Sequence, residues 1–299
     1  MNGDEWSDWP APAKLNLFLH ITGRRDDGYH TLQTVFQLLD WGDRIGLRLR
    51  TDGRIVRYYD VPGIAPDDDL CIRAARLLQH RIGDHHGADI ALAKQIPVGG
   101  GLGGGSSNAA SVLVALNELW SGGLDLDLLA QLGLQLGADV PVFVRGHSSF
   151  AEGIGEILTA VELPERWYLV VDPGVHAPTA TLFQSSELTR DSPATTISRL
   201  LAGEITSNAF QTLVRRQYPA VERALAWLEQ WGAARLSGSG ASVFLPLRDM
   251  DQGKKLLAEL PADMRAVVTR GVNRSPLIDA VAGWRQTGKT GFGWDVAKR

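Results

Sequence analysis

The sequence predicts an α+β fold built in two domains. Three stretches carry this reading. Residues 11–21 alternate apolar and polar positions as a strand. A glycine run at 99–105 joins a short strand to an Ala/Leu-rich helix. Residues 167–172 make an apolar strand that stops at Pro173-Gly174, near which the chain changes domain. The expected division is a flexible leader over 1–9, a first domain over 10–160, a second over 161–282 and a flexible tail over 283–299.

In chain order, Pro12-Ala13-Lys14-Leu15-Asn16-Leu17-Phe18-Leu19-His20-Ile21 sets Leu15, Leu17, Leu19 and Ile21 on one face. Lys14, Asn16, Phe18 and His20 share the other. Lys14 and Asn16 therefore project together from a rigid element, and spacing alone reads them as a solvent face. Residues 37–59 predict two strands joined as a hairpin through Thr51-Asp52-Gly53. Asp67-Asp68-Asp69 caps a helix running to about Gln79; their place before a helix favours capping over metal binding. Cys71 lies in that helix's apolar pattern and reads as packing. Residues 109–120 and 124–136 are further helices, the second ending at Gly137. Turns and strands follow over 146–159, a helix over 221–231, and a small-residue loop, Ser237-Gly238-Ser239-Gly240, that enters a strand.

With 44% hydrophobic and 21% charged residues, the composition is that of an ordinary soluble domain. A net charge of −4 disfavours a general nucleic-acid binder. One cysteine excludes a disulfide framework and fits a reducing cytoplasm. No apolar run approaches the roughly 18 residues of a membrane span, and the N-terminus lacks a signal-peptide pattern. A cytoplasmic protein, monomeric or weakly dimeric, is expected, with no nucleic-acid or membrane partner.

The stretch Pro97-Val98-Gly99-Gly100-Gly101-Leu102-Gly103-Gly104-Gly105-Ser106-Ser107 is the strongest chemical signal. Six of the seven residues from Gly99 to Gly105 are glycine. Bare backbone before a helix N-terminus presents unpaired N–H groups and the positive dipole end, which together favour phosphate. No lysine follows the glycines, so this is not a Walker A loop. Gly99, Gly101 and Gly104 satisfy Gly-x-Gly-x-x-Gly, but the acidic strand end a dinucleotide fold requires about twenty residues on is missing. Asp139 stands alone among Leu134, Leu136, Val140, Val142 and Phe143. A carboxylate there is costly unless paired, so it is either a structural cap or a general base beside a cation.

The glycine stretch resembles the phosphate loop of the GHMP kinases. Pro12-Ala13-Lys14-Leu15-Asn16-Leu17, Gly28-Tyr29-His30-Thr31-Leu32-Gln33-Thr34 and Gly137-Ala138-Asp139-Val140-Pro141 occur in the order typical of one branch, the 4-diphosphocytidyl-2-C-methyl-D-erythritol kinases. The likeness runs from about Trp9 to about Ala280. It implies a two-domain GHMP kinase fold, with an N-terminal ribosomal-protein-S5-domain-2-like half for ATP binding and catalysis and a ferredoxin-like C-terminal half on the substrate side. It implies ATP and Mg²⁺ as cofactors, a cytidine diphosphate conjugate of methylerythritol as substrate, and transfer of phosphate to its 2-hydroxyl. By the same resemblance Asp139 is the base and Lys14 its partner, while Asn16 orients substrate. Tyr29, His30, Thr181 and Phe183 contact the cytidine, and Lys94 with residues 97–107 binds ATP, Ser106 or Ser107 lying near Mg²⁺; no metal-binding carboxylate is identified. A homoserine- or mevalonate-type kinase, a dinucleotide oxidoreductase and an RNA-binding module of related fold are the rivals; Gly28-Tyr29-His30 argues against the first.

Overall fold

The computed structural model describes residues 5–61, 63–83, 85–204 and 207–288. The first half opens with two long strands, β1 (Ser7–Arg24) and β2 (His30–Arg50), paired antiparallel. Their register shifts between Pro12 and Lys14 and again between Asn16 and Leu19. Then come β3 (Ile55–Arg57), α1 (Leu70–Ile82), β4 (Gly87–Ala93), α2 (Gly104–Leu119), α3 (Leu126–Leu134), α4 (Val140–Arg145), β5 (Ser149–Glu152) and β6 (Ile157–Ala160). The second half comprises β7 (Trp167–Asp172), α5 (Thr179–Gln184), α6 (Ile197–Leu201), α7 (Gln211–Gln217), α8 (Pro219–Glu229), β8 (Arg235–Leu236), β9 (Val243–Leu247), α9 (Met250–Ala258), β10 (Arg265–Val272) and α10 (Pro276–Thr287).

The strands form one sheet in the order β3-β4-β2-β10-β7-β9-β8, with β1 and β5 also paired to β2. The halves join where Gly271 and Val272 of β10 pair with Leu39 and Leu38 of β2. Each half has its own apolar core. A third cluster fills the seam, where Leu15 and Leu39 meet Val170 and Phe244 of the second half. Ile96, just before the glycine loop, and Leu102, in the middle of it, are buried in that same seam. The loop is thereby pinned before its start and at its centre, while its glycines keep bare backbone available to a ligand.

The caps follow the residue types. The Asp69 side chain accepts from Cys71 N, and Asp125 does the same for Leu128 N at the start of α3. Cys71 is buried, as its pattern predicts.

Three expectations are corrected. The hairpin at 51–53 does not form, although the turn itself does: Gly53 has φ 71° and the Asp52 carboxylate accepts from Arg50. Seven residues of β4 take the edge of β2 instead, so β3 pairs parallel with β4. The leader over 1–9 gives way to strand from Ser7, because Trp9 is fully buried against Trp284 and Asp8 is ion-paired with Arg44. The tail from Gly283 begins inside α10, which carries Trp284 and returns to the first half's core through Leu277 and Val281. Residues 1–4 and 289–299 lie outside the described residues.

Candidate active site

Two cavities meet at the glycine loop. The larger, about 820 Å³, lies between the halves; the smaller, about 290 Å³, lies over the start of α2. Gly101 and Gly103 belong to both walls. Gly103 shows why this residue type is required. It has φ 74°, and a Cβ there would sit 2.7 Å from the Phe143 ring and 3.1 Å from Lys14 Cε. At Gly101 a Cβ would be 2.1 Å from the Ser237 carbonyl oxygen. Ser237 belongs to the second small-residue loop, which thus backs the first.

Gly103 is the N-cap of α2 and supplies no side-chain cap. The first-turn N–H groups of this 16-residue helix therefore lack intrahelical partners, and no acidic side chain occupies that turn. Ser106 lines the smaller cavity. Ser107, an expected alternative to it, is fully buried and lines neither cavity. Leu102 likewise serves as an anchor in the seam rather than facing the smaller cavity, and its carbonyl accepts from Lys14 N at 3.1 Å. Lys94 lines that cavity and is ion-paired with Asp43, whose other carboxylate oxygen accepts from the N–H groups of Gln95 and Ile96. Asn108 of α2 donates to the same carboxylate at 2.9 Å. Asp43 is fully buried, so this carboxylate ties the strand before the loop to the helix after it. In the sequence it is one more polar residue on a strand, and nothing in its spacing singles it out.

The larger cavity holds the paired charges. Lys14 Nζ stands 3.3 Å from Asp139 Oδ2 and donates to Asn16 Oδ1 at 2.5 Å and to the Gly101 carbonyl at 3.1 Å. Lys14 is 3% exposed and Asp139 33%, so the base candidate is open to the cavity while its cation is enclosed. Asp139 precedes α4 at its N-cap position yet makes no side-chain cap bond, which leaves its carboxylate to Lys14. Lys14 and Asn16 are both buried, contrary to the solvent-face reading of β1: the glycine loop and Asp139 enclose the lysine, and Ser237 of the second half covers the asparagine. Asn16 is fixed from both sides: its Nδ2 donates to Thr34 Oγ1 at 2.9 Å, and its backbone N–H donates to Ser237 Oγ at 3.3 Å.

At the far end His30 stacks on Phe183 with ring centroids 4.9 Å apart, and Phe183 meets Phe210 edge-on. Tyr29 is 61% exposed at the cavity mouth. Burial lowers the His30 pKa, and the nearby charges of Arg190 and Arg24 lower it further. Thr181 is exposed and does not line the cavity, whereas Thr179, Ala180, Phe183 and Gln184 do. Helical phase explains the correction: positions i, i+1, i+4 and i+5 of α5 share a face that i+2 leaves. Thr179 Oγ1 also lies 2.6 Å from Ser239 Oγ. Sequence reasoning missed Asp43, Thr179, Ser239 and Arg190; only the Gly-Ser pattern of 237–240 gave a signal for any of them.

A glycine loop on an uncapped helix, next to a buried lysine and a carboxylate, defines a nucleotide-dependent transferase. Residues 69–147 match the family model of the GHMP kinases N terminal domain, and residues 195–266 match that of the GHMP kinases C terminal. A 4-diphosphocytidyl-2-C-methyl-D-erythritol kinase of Xanthomonas axonopodis pv. citri (strain 306) is 58% identical over 277 residues, which cover 92% of this chain and 94% of the relative. The crystal structure of a 4-(cytidine 5'-diphospho)-2C-methyl-D-erythritol kinase matches with a TM-score of 0.78 and 32% identity, over 89% of this chain and 99% of that one. Methanococcus jannaschii mevalonate kinase shares the fold, with a TM-score of 0.64 at 17% identity over 91% and 100% of the two chains. The chain belongs to the GHMP kinases and, within them, to the 4-diphosphocytidyl-2-C-methyl-D-erythritol kinase family. It is a small-molecule kinase that uses ATP. Among the described residues no helix is long and apolar enough to cross a membrane.

Proposed function

We propose that this kinase transfers the γ-phosphoryl group of ATP to the 2-hydroxyl of 4-diphosphocytidyl-2-C-methyl-D-erythritol, a step of the non-mevalonate isoprenoid precursor pathway. The observation that supports the reading is the shared wall at Gly101 and Gly103, with the start of α2, which has no side-chain cap, on one side and the Lys14–Asp139 pair on the other. The names of the relatives supply the acceptor.

In this reading the first-turn N–H groups of α2 hold the ATP phosphates, with Lys94 braced beside them by Asp43. Asp139 accepts the proton of the acceptor hydroxyl as its oxygen bonds to the γ-phosphorus. The bond from that phosphorus to the bridging oxygen breaks, and ADP leaves. Such a transition state is loose, so alignment and charge stabilisation dominate. Lys14, held by three acceptors, offers its charge to the transferring group without having to reorganise. Phe183 and Tyr29 give stacking surfaces for cytosine, His30 reaches its polar edge, and Thr179 takes the role expected of Thr181.

Magnesium fits the donor set. This ion is commonly held by substrate phosphates with one or two protein oxygens and several waters, and Ser106 lines the cavity beside the helix terminus. Ser106 would hold it; when bound, the ion neutralises charge on the phosphates. The same proposal assigns ATP binding and catalysis to residues 10–160 and the substrate side to 161–282. It has the enzyme work in the cytoplasm, as a monomer or weak homodimer, on a small molecule rather than a nucleic acid.

The test is ADP release from ATP and Mg²⁺ with the cytidine diphosphate conjugate as acceptor, beside mevalonate and homoserine. Turnover with the first alone supports the reading. Turnover with either of the others and none with the first overturns the acceptor.

A further inference from the structure

Arg190 lies outside the glycine loop and the paired charges, yet it has the most fully engaged guanidinium in the larger cavity. Its Nη2 donates to the carbonyls of Phe183, at 2.8 Å, and Ser185, at 2.6 Å. Its Nη1 donates to the Leu188 carbonyl at 3.0 Å. These bonds clamp the end of α5 and the turn after it, where helix carbonyls otherwise lack partners. Its Nε–H points at His30 Nε2, 3.1 Å away.

A guanidinium only donates. The nitrogen facing it must therefore be the unprotonated one, and in neutral imidazole the proton then sits on Nδ1. The charged ring is disfavoured, because both its nitrogens would be donors and one would meet Arg190 head-on. The titratable and charged groups facing the ring agree with this. Arg24 is the cross-strand partner of His30 in β1, and Arg190 comes from the segment after α5. Among the described residues no carboxylate forms an ion pair with His30. Burial and these two cations all lower its pKa.

We infer that Arg190 is a positioning residue for pyrimidine specificity: it fixes the Nδ1–H tautomer of His30, leaving that ring a single hydrogen-bond donor with which to meet the base. The inference rests on the cytidine reading above. Cytosine presents an acceptor at N3, whereas uracil presents an N3–H donor. A ring locked as a donor accepts the first and opposes the second. A freely tautomerising histidine would accommodate either base, because it can present a bare nitrogen as readily as an N–H. Since the same guanidinium holds the Phe183 carbonyl, the stacking ring and the edge-reading ring are set by one side chain. A site built to pair a polar group rejects the mismatched analogue strongly, because a buried donor is left unpaired.

Two measurements on the full chain test this. In long-range ¹H–¹⁵N spectra of enzyme labelled in its histidine rings, assigned by His30→Gln, His30 should show a pyridine-like Nε2 and a pyrrole-like Nδ1 at neutral pH. The opposite tautomer, or an even mixture, overturns the proposal. In kinetics, acceptors carrying cytosine and uracil are compared in wild type, Arg190→Gln, His30→Ala and the double variant. The cytosine preference should fall at least about tenfold in Arg190→Gln, mostly through KM, and the double variant should lose no more preference than His30→Ala alone. Equal losses for both bases in Arg190→Gln would mean that Arg190 only braces α5, and additive losses would mean that it does not act through His30; each overturns the proposal. Should Arg190→Gln not fold, the wild-type spectrum still decides the tautomer. Absence of turnover with either base would sink the substrate reading, and the ring spectrum would score this inference separately.

Discussion

Lys14 Nζ lies 3.3 Å from Asp139 Oδ2, with the lysine enclosed and the carboxylate a third exposed. The asymmetry orients the pair. The lysine has no other charged partner within reach among the described residues, while the carboxylate keeps a face toward the cavity that would hold the acceptor. Asp139→Asn keeps the shape and removes the base, so kcat should fall about 10³-fold with the melting temperature little changed. Steady-state kinetics beside a thermal melt checks both halves of this statement. Lys14→Met should lose activity and also stability, by about 1–3 kcal/mol, because Asn16 Oδ1 and the Gly101 carbonyl would lose their buried donor.

The glycine loop divides into positions that need glycine and positions that do not. Gly103→Ala puts a Cβ 2.7 Å from the Phe143 ring at φ 74°. The residue must shift, taking the start of α2 with it, and ATP affinity should fall at least about tenfold in titration calorimetry. At Gly105 the nearest atom to an added Cβ is a Leu70 methyl at 3.3 Å, and φ is not positive. Gly105→Ala should cost far less affinity. Equal effects at the two positions would argue against the loop geometry described.

Asp43 should matter as much as the loop it braces. Asp43→Ala leaves Lys94 without its ion pair and the Gln95 and Ile96 N–H groups without their acceptor. A loss of about 3–5 kcal/mol in denaturant unfolding is expected, with a raised KM for ATP. A variant as stable as wild type would contradict the buried network.

The pH dependence follows from two histidines. Burial lowers the pKa of both His20 and His30, so below the ordinary histidine pKa of about 6.5 the unfolded chain binds more protons than the folded one. Their contribution to stability is therefore present above that pH and is lost as pH falls through the folded values. Acceptor binding should weaken over the same descent, since a protonated His30 would face Arg190. Melts and acceptor titrations from about pH 7.5 down to about pH 5 read this out, and His30→Gln should flatten the binding profile.

Local sequence was a good guide where chemistry acts on backbone. The glycine loop, the Asp69 cap and the β7 strand depend on neighbours within a few residues, and each was legible. The clamp on the aromatic wall was not. Arg190 reaches His30 across 160 residues, and no spacing rule connects them. Thr181 in place of Thr179 is an error of helical phase over a six-residue helix, too short for periodicity to settle. The hairpin at 51–53 failed because turn residues fix a reversal but not the strand that answers it. Trp9 and Trp284, assigned to or beside expected flexible ends, are joined only by folding.

The sequence by itself pointed to phosphate chemistry at the glycine loop, because bare backbone before a helix is a property of one short segment, while the spacing of Lys14 and Asn16 alone read as a solvent face. Tertiary structure decided how those groups meet. Packing within the first half brought Asp139 to Lys14, and docking the second half covered Asn16 and walled the larger cavity. Burial and long-range pairing are set by how the whole chain closes, and that information is spread over both halves rather than written beside any one residue.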